Sequence, residues 1–403
     1  MKILFVTQYF YPEEFRGNDI AFDWSVRGNE VTVITAIPNY PSGKYHKGYG
    51  LFTRRKEIVN GVLIIRIPVI PRGKDNSFLL IFNYLSFAIL GTIYAIYLSI
   101  RKKFDLIFVQ QLSPVTMALP GIVVKKIQKI PLYLWVLDLW PESIASASHI
   151  RNKYILSFFE KIVKFIYLNS DEILISSTGF ETSIRQKINF NQKIIYFPNW
   201  AEEIFNDANS SCQIPDLPDG FIIMFAGNIG EAQDFENVMK VSLLLKGNVN
   251  IKFVFLGDGR KKRWIDNFCM QYGLQNTVYC LGRYPLAMMP SFFKKADLLL
   301  VSLKDEPIFN LTLPAKIQAY MTSAKPIVGM INGEGSDIIK VSQCGLCSNA
   351  GDYIGLAENI QKLAMMDDNE LRRLGSNGQE FALIHYNKKK LLDQLYFGII
   401  KKT

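Results

Sequence analysis

The sequence has few of the side chains that bind metals or form disulfide frameworks. Its 403 residues include three histidines and five cysteines. The histidines, His46, His149 and His385, are too scattered to predict a metal site. Cys344 and Cys347 form a lone CxxC without the second pair that a zinc site needs. The low, odd number of cysteines argues against a disulfide framework and predicts a reducing compartment.

The chain also lacks a long basic tail and a zinc-finger spacing. Its net charge is +10, but the basic residues are spread in small clusters. Nucleic acid is therefore the least favoured of the anionic partners that such a charge allows. A phosphate-bearing substrate or an anionic membrane surface is the better prediction. Residues 1–6, MKILFV, are too short an apolar run for a signal peptide and predict a buried strand.

Short apolar strands alternate with helical segments along most of the chain. Apolar residues make up 49% of the sequence, and its length suffices for two ordinary domains. The alternation begins at residues 2–7 and restarts at 221–226, after an irregular stretch rich in Asn, Ser, Asp and Pro. This pattern predicts an α/β fold of two Rossmann-like doubly wound domains. We place them at 1–200 and 201–385, with a final helix, 386–403, crossing back to the N-terminal domain.

Residues 301–330 form the most informative stretch. They predict a strand, a loop, a helix that begins after Pro314, and a second strand. In open parallel sheets, ligands lie at the carboxyl ends of strands beside helix N-termini, so Lys316 and Gln318 are expected to face a ligand. A lysine is unfavourable at a positive helix start unless an anion such as a diphosphate joins it. The alternative is a solvated surface lysine.

Two glycine turns follow successive strands of the second half. GNIG occupies 227–230 and GDGR occupies 257–260. Glycine turns let backbone amides approach phosphate oxygens, and the helix starts add positive potential. Together with Lys316, the two turns predict a phosphate site. An exposed helix residue is an equally good interpretation of Arg260.

The longest uncharged segment is Ser77–Ile100, flanked by Arg72 and Lys74 on one side and by Arg101–Lys103 on the other. Its length is sufficient to span a bilayer. However, it contains Asn83 and stands where the alternating pattern needs a helix between strands. We therefore predict a helix that packs on the N-terminal sheet and dips into the membrane interface, with its cationic flanks on anionic lipid. A plain buried helix and a true span are the alternatives.

A further polar motif, DLWPE at 138–142, follows an apolar strand at 131–137. A carboxylate at a strand end suits sugar hydroxyls, and the indole of Trp140 suits a sugar ring or an apolar tail. The alternative is that Asp138 is buried and caps the helix that follows.

Taken together, these segments resemble the retaining group-one (family four) glycosyltransferases of GT-B fold. Within that class the chain is similar to L-fucosamine, or N-acetylfucosamine, transferases of O-antigen and capsule synthesis. The resemblance covers nearly the whole chain and rests on seven segments in order: QYFYPEEFRGND (8–19), PNYPSGK (38–44), LDLWPES (137–143), PNWAE (198–202), FAGNIGEAQ (225–233), LGDG (256–259) and LPAKIQAYMTSAKPI (313–327).

The resemblance implies two Rossmann-like domains that face a cleft. The C-terminal domain would bind a UDP-sugar and the N-terminal domain a lipid-diphosphate-linked saccharide, in bacterial surface polysaccharide synthesis. Transfer would proceed with retention and without a metal or other cofactor, because amides and cations stabilise the diphosphate. The implied location is cytoplasmic and peripheral, on the inner face of the plasma membrane, in contact with anionic lipid and not with nucleic acid.

The resemblance and the strand-end pattern together give an expected role to each candidate residue. Asp138 is the expected catalytic residue. The expected donor-binding residues are Gly227, Asn228, Gly230, Arg260, Arg283, Tyr284, Lys316 and Gln318. The expected acceptor-binding residues are Phe15, Arg16, Asn18, Asp19, Trp140 and Glu142.

The chain departs from the wider class at four positions. The two glutamates that the class carries eight residues apart read Leu311 and Ala319 here, and its diphosphate-binding arginine and lysine read Asn228 and Gln233. Lys316, with Arg260 or Lys261, is expected to supply the missing charge. The loss of the glutamates leaves open a non-catalytic nucleotide-sugar-binding subunit of a transferase complex. The shared fold leaves open a UDP-sugar 2-epimerase.

Overall fold

The computed structural model describes residues 1–73, 76–148, 152–188, 192–205 and 212–401. The chain divides into two compact units, Met1–Pro198 together with Leu391–Thr403, and Asn199–Lys390. The boundaries expected from the sequence were 200/201 and 385/386. Residues 206–211 of the predicted irregular stretch lie outside the described residues.

The N-terminal unit is built on one sheet. Its strands, in the described part of the unit, are β1 (Lys2–Val6), β2 (Glu30–Ala36), β3 (Lys56–Val59), β4 (Val62–Ile67), β5 (Leu106–Gln111), β6 (Leu132–Val136), β7 (Glu172–Ile175) and β8 (Lys193–Tyr196). They lie in the order β3-β4-β2-β1-β5-β6-β7-β8. Neighbours are parallel except for the β3/β4 hairpin. Asn60 and Gly61 adopt positive φ at its turn, as the Asn-Gly signal predicts.

Helices cover this sheet. They are α1 (Arg16–Val26), α2 (Ser77–Arg101), α3 (Leu119–Gln128), α4 (Glu142–Ser148), α5 (Lys153–Leu168) and α6 (Phe180–Lys187), with a 3-10 turn at Val115–Ala118. On α1 the buried residues Gly17, Ile20, Ala21 and Trp24 follow the spacing of one helix face. The Trp24 ring lies edge-on to Phe5 of β1, with 6.3 Å between centroids.

Helix α2 has one packed side and one exposed side. Asn83 and Gly91 are on the packed side. A Cβ at Gly91 would lie 3.1 Å from Pro120 Cγ of α3, so the helices approach closely there. The exposed side carries large apolar residues: Phe78, Leu79, Ile81, Phe82, Leu85, Ile89, Leu90, Ile93, Ile96, Tyr97 and Ile100. Within the described residues, α2 is the helix long and apolar enough to cross a membrane, and 28% of that apolar window is buried. The alternative that α2 is a plain buried helix is therefore wrong.

The second unit repeats the architecture. Its strands are β9 (Phe221–Ala226), β10 (Ile251–Leu256), β11 (Val278–Gly282), β12 (Leu298–Ser302), β13 (Ile327–Met330) and β14 (Gly345–Ser348). Over the described range 212–401 they form a parallel sheet in the order β11-β10-β9-β12-β13-β14. Strand β9 is central and lies between β10 and β12. The chain leaves β9 toward β10 on one side of the sheet and later returns to β12 on the other, so the strand order reverses at β9.

The helices of the second unit are α7 (Phe235–Leu244), α8 (Lys262–Tyr272), α9 (Met289–Lys295), α10 (Pro307–Leu311), α11 (Ala315–Thr322), α12 (Gly333–Val341), α13 (Tyr353–Ala364), α14 (Asp368–His385) and α15 (Lys388–Leu395). Short 3-10 turns lie at Glu203–Phe205, Glu231–Gln233 and Leu286–Met288, and a π-helical turn at Tyr396–Ile400 follows α15. Helix α15 begins in this unit and continues into the segment that belongs to the N-terminal unit.

Two helix starts differ from the sequence prediction. From the sequence, a loop at 8–18 and a helix from about Asp19 are expected, whereas helix α1 begins at Arg16, so the end of the expected loop is the first helical turn. Helix α10 occupies part of the predicted loop before Pro314. It begins at Pro307, which suits a first helical position because that residue needs no N–H donor.

Candidate functional site

The two glycine turns of the second unit interlock at the carboxyl end of its sheet. Gly227 N donates to Leu256 O at 2.9 Å, and Ile229 N donates to Asp258 O at 2.9 Å. A Cβ at Gly257 would stand 1.8 Å from the Gly227 carbonyl oxygen, so no other residue fits there without movement. The turns therefore form one rigid backbone surface at the place where the sequence predicted a phosphate site.

Asn228 and Gly230 complete the first turn. A Cβ at Gly230 would lie 2.5 Å from Asn228 Nδ2, so the glycine makes room for the asparagine side chain. Gly227 and Asn228 are exposed, whereas Gly230 is buried. The exposed amide of Asn228 stands where the wider class, by resemblance, carries an arginine.

Lys316 lies beside this turn in the first turn of α11. Its Nζ donates to Gln233 Oε1 at 2.7 Å and lies 3.9 Å from the centroid of the Phe225 ring. The Nζ is 3.6 Å from the position of a Cβ at Gly227. Among the described residues, no carboxylate lies within 4.0 Å of this ammonium group. Burial without an anion lowers the pKa of Lys316 to about 7.

The contact between Lys316 and Gln233 accounts for one departure from the wider class. Gln233 occupies the position where that class has a diphosphate-binding lysine. Here the ammonium group belongs to Lys316 of α11 and lies within hydrogen-bonding distance of the Gln233 side chain. The positive charge is thus retained at this point of the unit, although it comes from a different place in the sequence.

Other nearby lysines are neutralised by carboxylates. Lys261 Nζ contacts the Glu236 carboxylate and lies 3.2 Å from Glu231 Oε2. Lys304 Nζ lies 3.4 Å from the same Glu231 oxygen. These pairs hold the pKa of Glu236 below its usual range, despite its partial burial. The expectation that Lys261 supplies free positive charge is therefore wrong, while Arg260 is an exposed residue of the second glycine turn.

The remaining donor-binding predictions have different outcomes. Arg283 is exposed just after β11, and the Tyr284 ring packs on Phe292 with 4.8 Å between centroids. Gln318 is buried, and its Nε2 donates to Asn199 O at 2.9 Å. Residues two apart on an α-helix point about 200° away from each other, so Gln318 cannot share the side of α11 that carries Lys316. The expected ligand contact of Gln318 is corrected to a bond within the unit.

In the N-terminal unit, the half-buried Asp138 is the centre of a hydrogen-bonded group. Its carboxylate accepts from Ser113 Oγ at 2.6 Å, from Trp140 Nε1 at 3.2 Å and from the Ser143 hydroxyl. Burial raises the pKa of Asp138, and these three donors oppose the shift. Ser143 lies in the first turn of α4, so this carboxylate also ties the loop to the helix that follows it.

Trp140 and Glu142 are held by contacts inside the unit. Trp140 is buried, its Nε1 donates to Ser113 Oγ at 2.8 Å, and its ring packs edge-on to Phe159 of α5. Glu142 pairs with the nearly buried Lys187, which lowers the pKa of this carboxyl against the effect of burial. The expectation of an acceptor-facing Glu142 is corrected to an internal ion pair.

The Phe15–Asp19 segment packs on aromatic neighbours. The Phe15 ring stacks on Tyr9 with 5.2 Å between centroids. Asn18 Nδ2 donates to Glu13 O at 2.7 Å. Arg16 and Asp19 are half-buried in the first turn of α1. This segment lies at the carboxyl end of β1, the edge of the sheet where ligands of parallel sheets bind.

Sequence analysis missed two tyrosines and a glutamate beside these residues. Burial raises the pKa of both Tyr9 and Tyr84. The buried Glu13 accepts from Asn39 N at 2.8 Å and Tyr40 N at 2.7 Å, which fixes the loop after β2. The available signal was their place in the loop at the carboxyl end of an apolar strand, since Tyr9 and Glu13 both lie between β1 and α1.

Comparison with known proteins assigns the second unit. Residues 212–381 match the family Glycosyl transferases group 1. The chain is 27% identical over 251 residues to a Pseudomonas aeruginosa protein named “Probable glycosyltransferase WbjE”, an alignment that covers 58% of this chain and 61% of that one. It is 25% identical over 337 residues, 79% of this chain and 80% of the other, to the Escherichia coli protein named as colanic acid biosynthesis glycosyl transferase WcaI.

Solved structures agree on the fold. The sucrose-phosphate synthase of Thermosynechococcus elongatus superposes with a TM-score of 0.73 over 100% of both chains at 17% identity. Anabaena Alr3699/HepE in complex with UDP-glucose superposes with a TM-score of 0.67, also over 100% of both chains, at 14% identity. These neighbours confirm the predicted GT-B fold. The family match and the names of both relatives confirm the glycosyltransferase prediction at the level of the family. The family match covers 170 of the 403 residues, and all of them lie within the second unit.

Proposed function

We propose that the chain is a retaining glycosyltransferase that moves a sugar from UDP to a lipid-diphosphate-linked saccharide in bacterial surface polysaccharide synthesis. N-acetylfucosamine is the proposed donor sugar, on the resemblance described above. The name of the Escherichia coli relative, which refers to colanic acid biosynthesis, supports a role in polysaccharide synthesis. The Anabaena structure with UDP-glucose supports a UDP-sugar donor.

The observation that carries the proposal is the half-buried ammonium group of Lys316, which lies beside the Gly227–Gly230 turn and has no anionic partner among the described residues. A partly desolvated cation without an anion is destabilising, and a diphosphate would restore its charge balance. Backbone N–H groups of the glycine turn and the N-terminus of α11 would share the same anion.

The proposed reaction uses the phosphate site formed by Lys316 and the Gly227–Gly230 turn. The bond from the anomeric carbon to the diphosphate oxygen breaks, and the bond to the acceptor hydroxyl oxygen forms on the same face. The hydroxyl proton passes to the departing diphosphate. Lys316 and the turn amides stabilise the charge that develops on the leaving group, so we propose that no metal is needed. Asp138, whose carboxylate already accepts three hydrogen bonds, would act by positioning the acceptor surface.

We further propose that the protein is cytoplasmic and binds the inner face of the plasma membrane through α2. The exposed apolar side of this helix supports that location, and α5 adds the exposed Tyr154, Ile155 and Phe158. The basic flank is smaller than the sequence suggested, because Lys102 pairs with Glu30 at 2.7 Å. Arg101 and Lys103 would be its contacts with anionic lipid.

Nucleotide binding followed by turnover tests the proposal. UDP and one UDP-amino-deoxysugar should raise the melting temperature, whereas GDP should not, because a ligand of the native state stabilises by mass action. Transfer from that UDP-sugar to a lipid-diphosphate-linked saccharide should then be detected without added metal. Binding without turnover would favour the non-catalytic subunit. Interconversion of UDP-sugars without an acceptor would favour the epimerase. Absence of any nucleotide response would refute the phosphate site.

A further inference from the structure

Arg72 is an unpaired cation in the N-terminal unit. Its guanidinium group lies over the Tyr40 ring, 5.0 Å from the centroid. Within the described residues, it has no hydrogen bond and no carboxylate within 4.0 Å. By contrast, Arg66 pairs with Glu57 and Arg27 with Asp23. The five N–H donors of Arg72 are therefore available to a ligand.

The backbone around Arg72 is fixed on two sides. Arg72 N donates to Asn39 Oδ1 at 3.2 Å, which joins it to the loop after β2. Asn83 Nδ2 of α2 donates to Ile70 O at 2.7 Å, and Ser86 Oγ of α2 accepts from Ile70 N at 3.0 Å. The main chain at Arg72 is thus held between that loop and α2, and the Tyr40 ring supports the guanidinium group, which reduces the ordering that a ligand would require.

An aromatic surface connects Arg72 with the Asp138 group. Tyr40 packs on Tyr9, and Gln8, next to Tyr9, donates to Asn83 of α2 at 2.7 Å. The ring of Tyr84, next to Asn83, lies edge-on to Trp140 with 6.5 Å between centroids. Trp140 Nε1 donates to Ser113 Oγ, the hydroxyl that donates to Asp138. Arg72 and the Asp138 group are therefore joined by one run of packed side chains.

An apolar surface begins on the other side of the same segment. The first turns of α2 are hydrogen-bonded to the main chain of Ile70. They expose Phe78, Ile81 and Phe82, and Phe82 is 52% exposed. Arg72 thus stands at the boundary between an apolar helix face and the polar surface around Asp138. A ligand that fits both has an apolar chain, then an anionic group, then a polar head.

We propose that Arg72 binds the diphosphate that links the acceptor saccharide to its lipid. The lipid would lie on α2, the diphosphate on Arg72 and the sugar toward Asp138. A guanidinium group matches phosphate because its planar N–H groups can bind two oxygens at once. The inference rests on the proposed function and adds to it the residue that distinguishes a lipid-diphosphate acceptor from an uncharged glycoside.

Turnover by the full chain in detergent micelles tests the assignment with two acceptors. One is a polyprenyl-diphosphate-linked saccharide, and the other is an uncharged alkyl glycoside of the same saccharide. Arg72→Gln should raise KM tenfold or more for the first acceptor and leave KM for the second and for the donor within about twofold; tenfold corresponds to about 1.4 kcal/mol. Arg72→Lys should recover part of the loss. An equal rise for both acceptors, or no rise, would overturn the assignment.

Arg54→Gln is the matched control. Arg54 lies over the ring of Tyr49, 5.5 Å from its centroid, and is exposed in the same unit. Its loss removes the same charge and the same type of ring contact, and it should change neither KM. A rise of similar size in this variant would attribute the effect of Arg72 to net charge.

Direct binding separates this inference from the proposed function. With the donor site saturated by UDP, the wild-type chain should bind farnesyl diphosphate in calorimetry, and Arg72→Gln should bind it at least tenfold more weakly. This result does not need turnover. Vesicles containing phosphatidylglycerol should bind both forms equally. If Arg72→Gln binds vesicles more weakly but farnesyl diphosphate as well as the wild type does, Arg72 contacts bulk lipid headgroups and the proposal is refuted. Failure of the wild type to bind farnesyl diphosphate would also refute it.

Discussion

Replacement of Lys316 by methionine tests the donor site most directly. Methionine keeps an unbranched chain of similar size but removes the charge. The free wild-type chain holds this lysine at a pKa of about 7. A bound diphosphate would raise that pKa again, because an adjacent anion favours the ammonium form. UDP binding above neutral pH should therefore take up a proton in the wild type and not in Lys316→Met.

The size of the effect follows from the pKa. Above pH 7, each further pH unit adds about 1.4 kcal/mol to the free energy of charging Lys316. The Kd for UDP should thus rise about tenfold per pH unit, or about a hundredfold from pH 7.5 to 9.5. At neutral pH, loss of one charge-assisted hydrogen bond should weaken UDP binding by about 1.5–3 kcal/mol in Lys316→Met. The variant should show no slope with pH.

The stability of the free protein should rise with pH, in the opposite direction to its affinity for UDP. Lys316 has a lower pKa in the folded chain than the ordinary value of 10.5. Between pH 7 and 10.5 the unfolded chain then binds more protons, so this group makes the free wild type more stable as the pH rises through that window. Lys316→Met should lack this contribution and should be more stable than the wild type near pH 7, because it buries no unpaired charge.

Calorimetric titration from pH 7.5 to 9.5 measures the effect. The terminal phosphate of UDP, with a second pKa of about 6 for such groups, is fully ionised over this range. Uridine should bind both forms alike. Lys325→Met is the matched control, since burial also lowers the pKa of Lys325, which follows α11 at the opposite end of that helix. A flat profile in the wild type, or the same slope in Lys316→Met, would refute the reasoning.

Three more predictions concern the same two units. Gln233→Lys should lower the melting temperature because it places two ammonium groups together. The double variant Gln233→Lys with Lys316→Gln should bind UDP within about fivefold of the wild type, or about 1 kcal/mol. Asp138→Asn should abolish transfer, leave the Kd for UDP unchanged, and lower the free energy of unfolding by about 1–3 kcal/mol in denaturant titration, because its amide cannot accept all three donors. Serine at Phe78 and Phe82 should reduce sedimentation with anionic vesicles at least tenfold, since each phenylalanine contributes about 1.5–3 kcal/mol when buried.

The controls for these predictions use the same assays. Ile354→Ser changes an exposed apolar residue of the second unit, 55% exposed, and should leave vesicle sedimentation unchanged. Normal turnover by Asp138→Asn would make that carboxylate purely structural. Loss of UDP binding in the Gln233/Lys316 exchange would show that the ammonium group must come from α11.

The sequence predicted the elements well because their patterns are local. Runs of apolar residues marked the buried strands, the Asn60-Gly61 pair marked the hairpin, and Pro314 marked the start of α11. The glycine turns were located for the same reason, since glycine at a strand end is a signal within a few residues.

The errors arose where a side chain has a partner far away in the sequence. Glu142 was expected to face an acceptor, but Lys187 of α6 neutralises it. Lys102 was counted with a basic flank, but it pairs with Glu30 of β2. Charge at a position says nothing about a partner that the fold brings in. The error at Gln318 was avoidable, because helix geometry alone separates it from Lys316.

Helix α15 imposes an order on folding. Its later residues and those after it belong to the N-terminal unit, where Arg27 of α1 binds Asp393 at 2.6 Å and lies over the Tyr396 ring. The ribosome must make all of Asn199–Lys390 before these residues emerge, which at about 5–20 residues per second delays them by tens of seconds. During that interval Arg27 of the N-terminal unit lacks its contacts with both the Asp393 carboxylate and the Tyr396 ring.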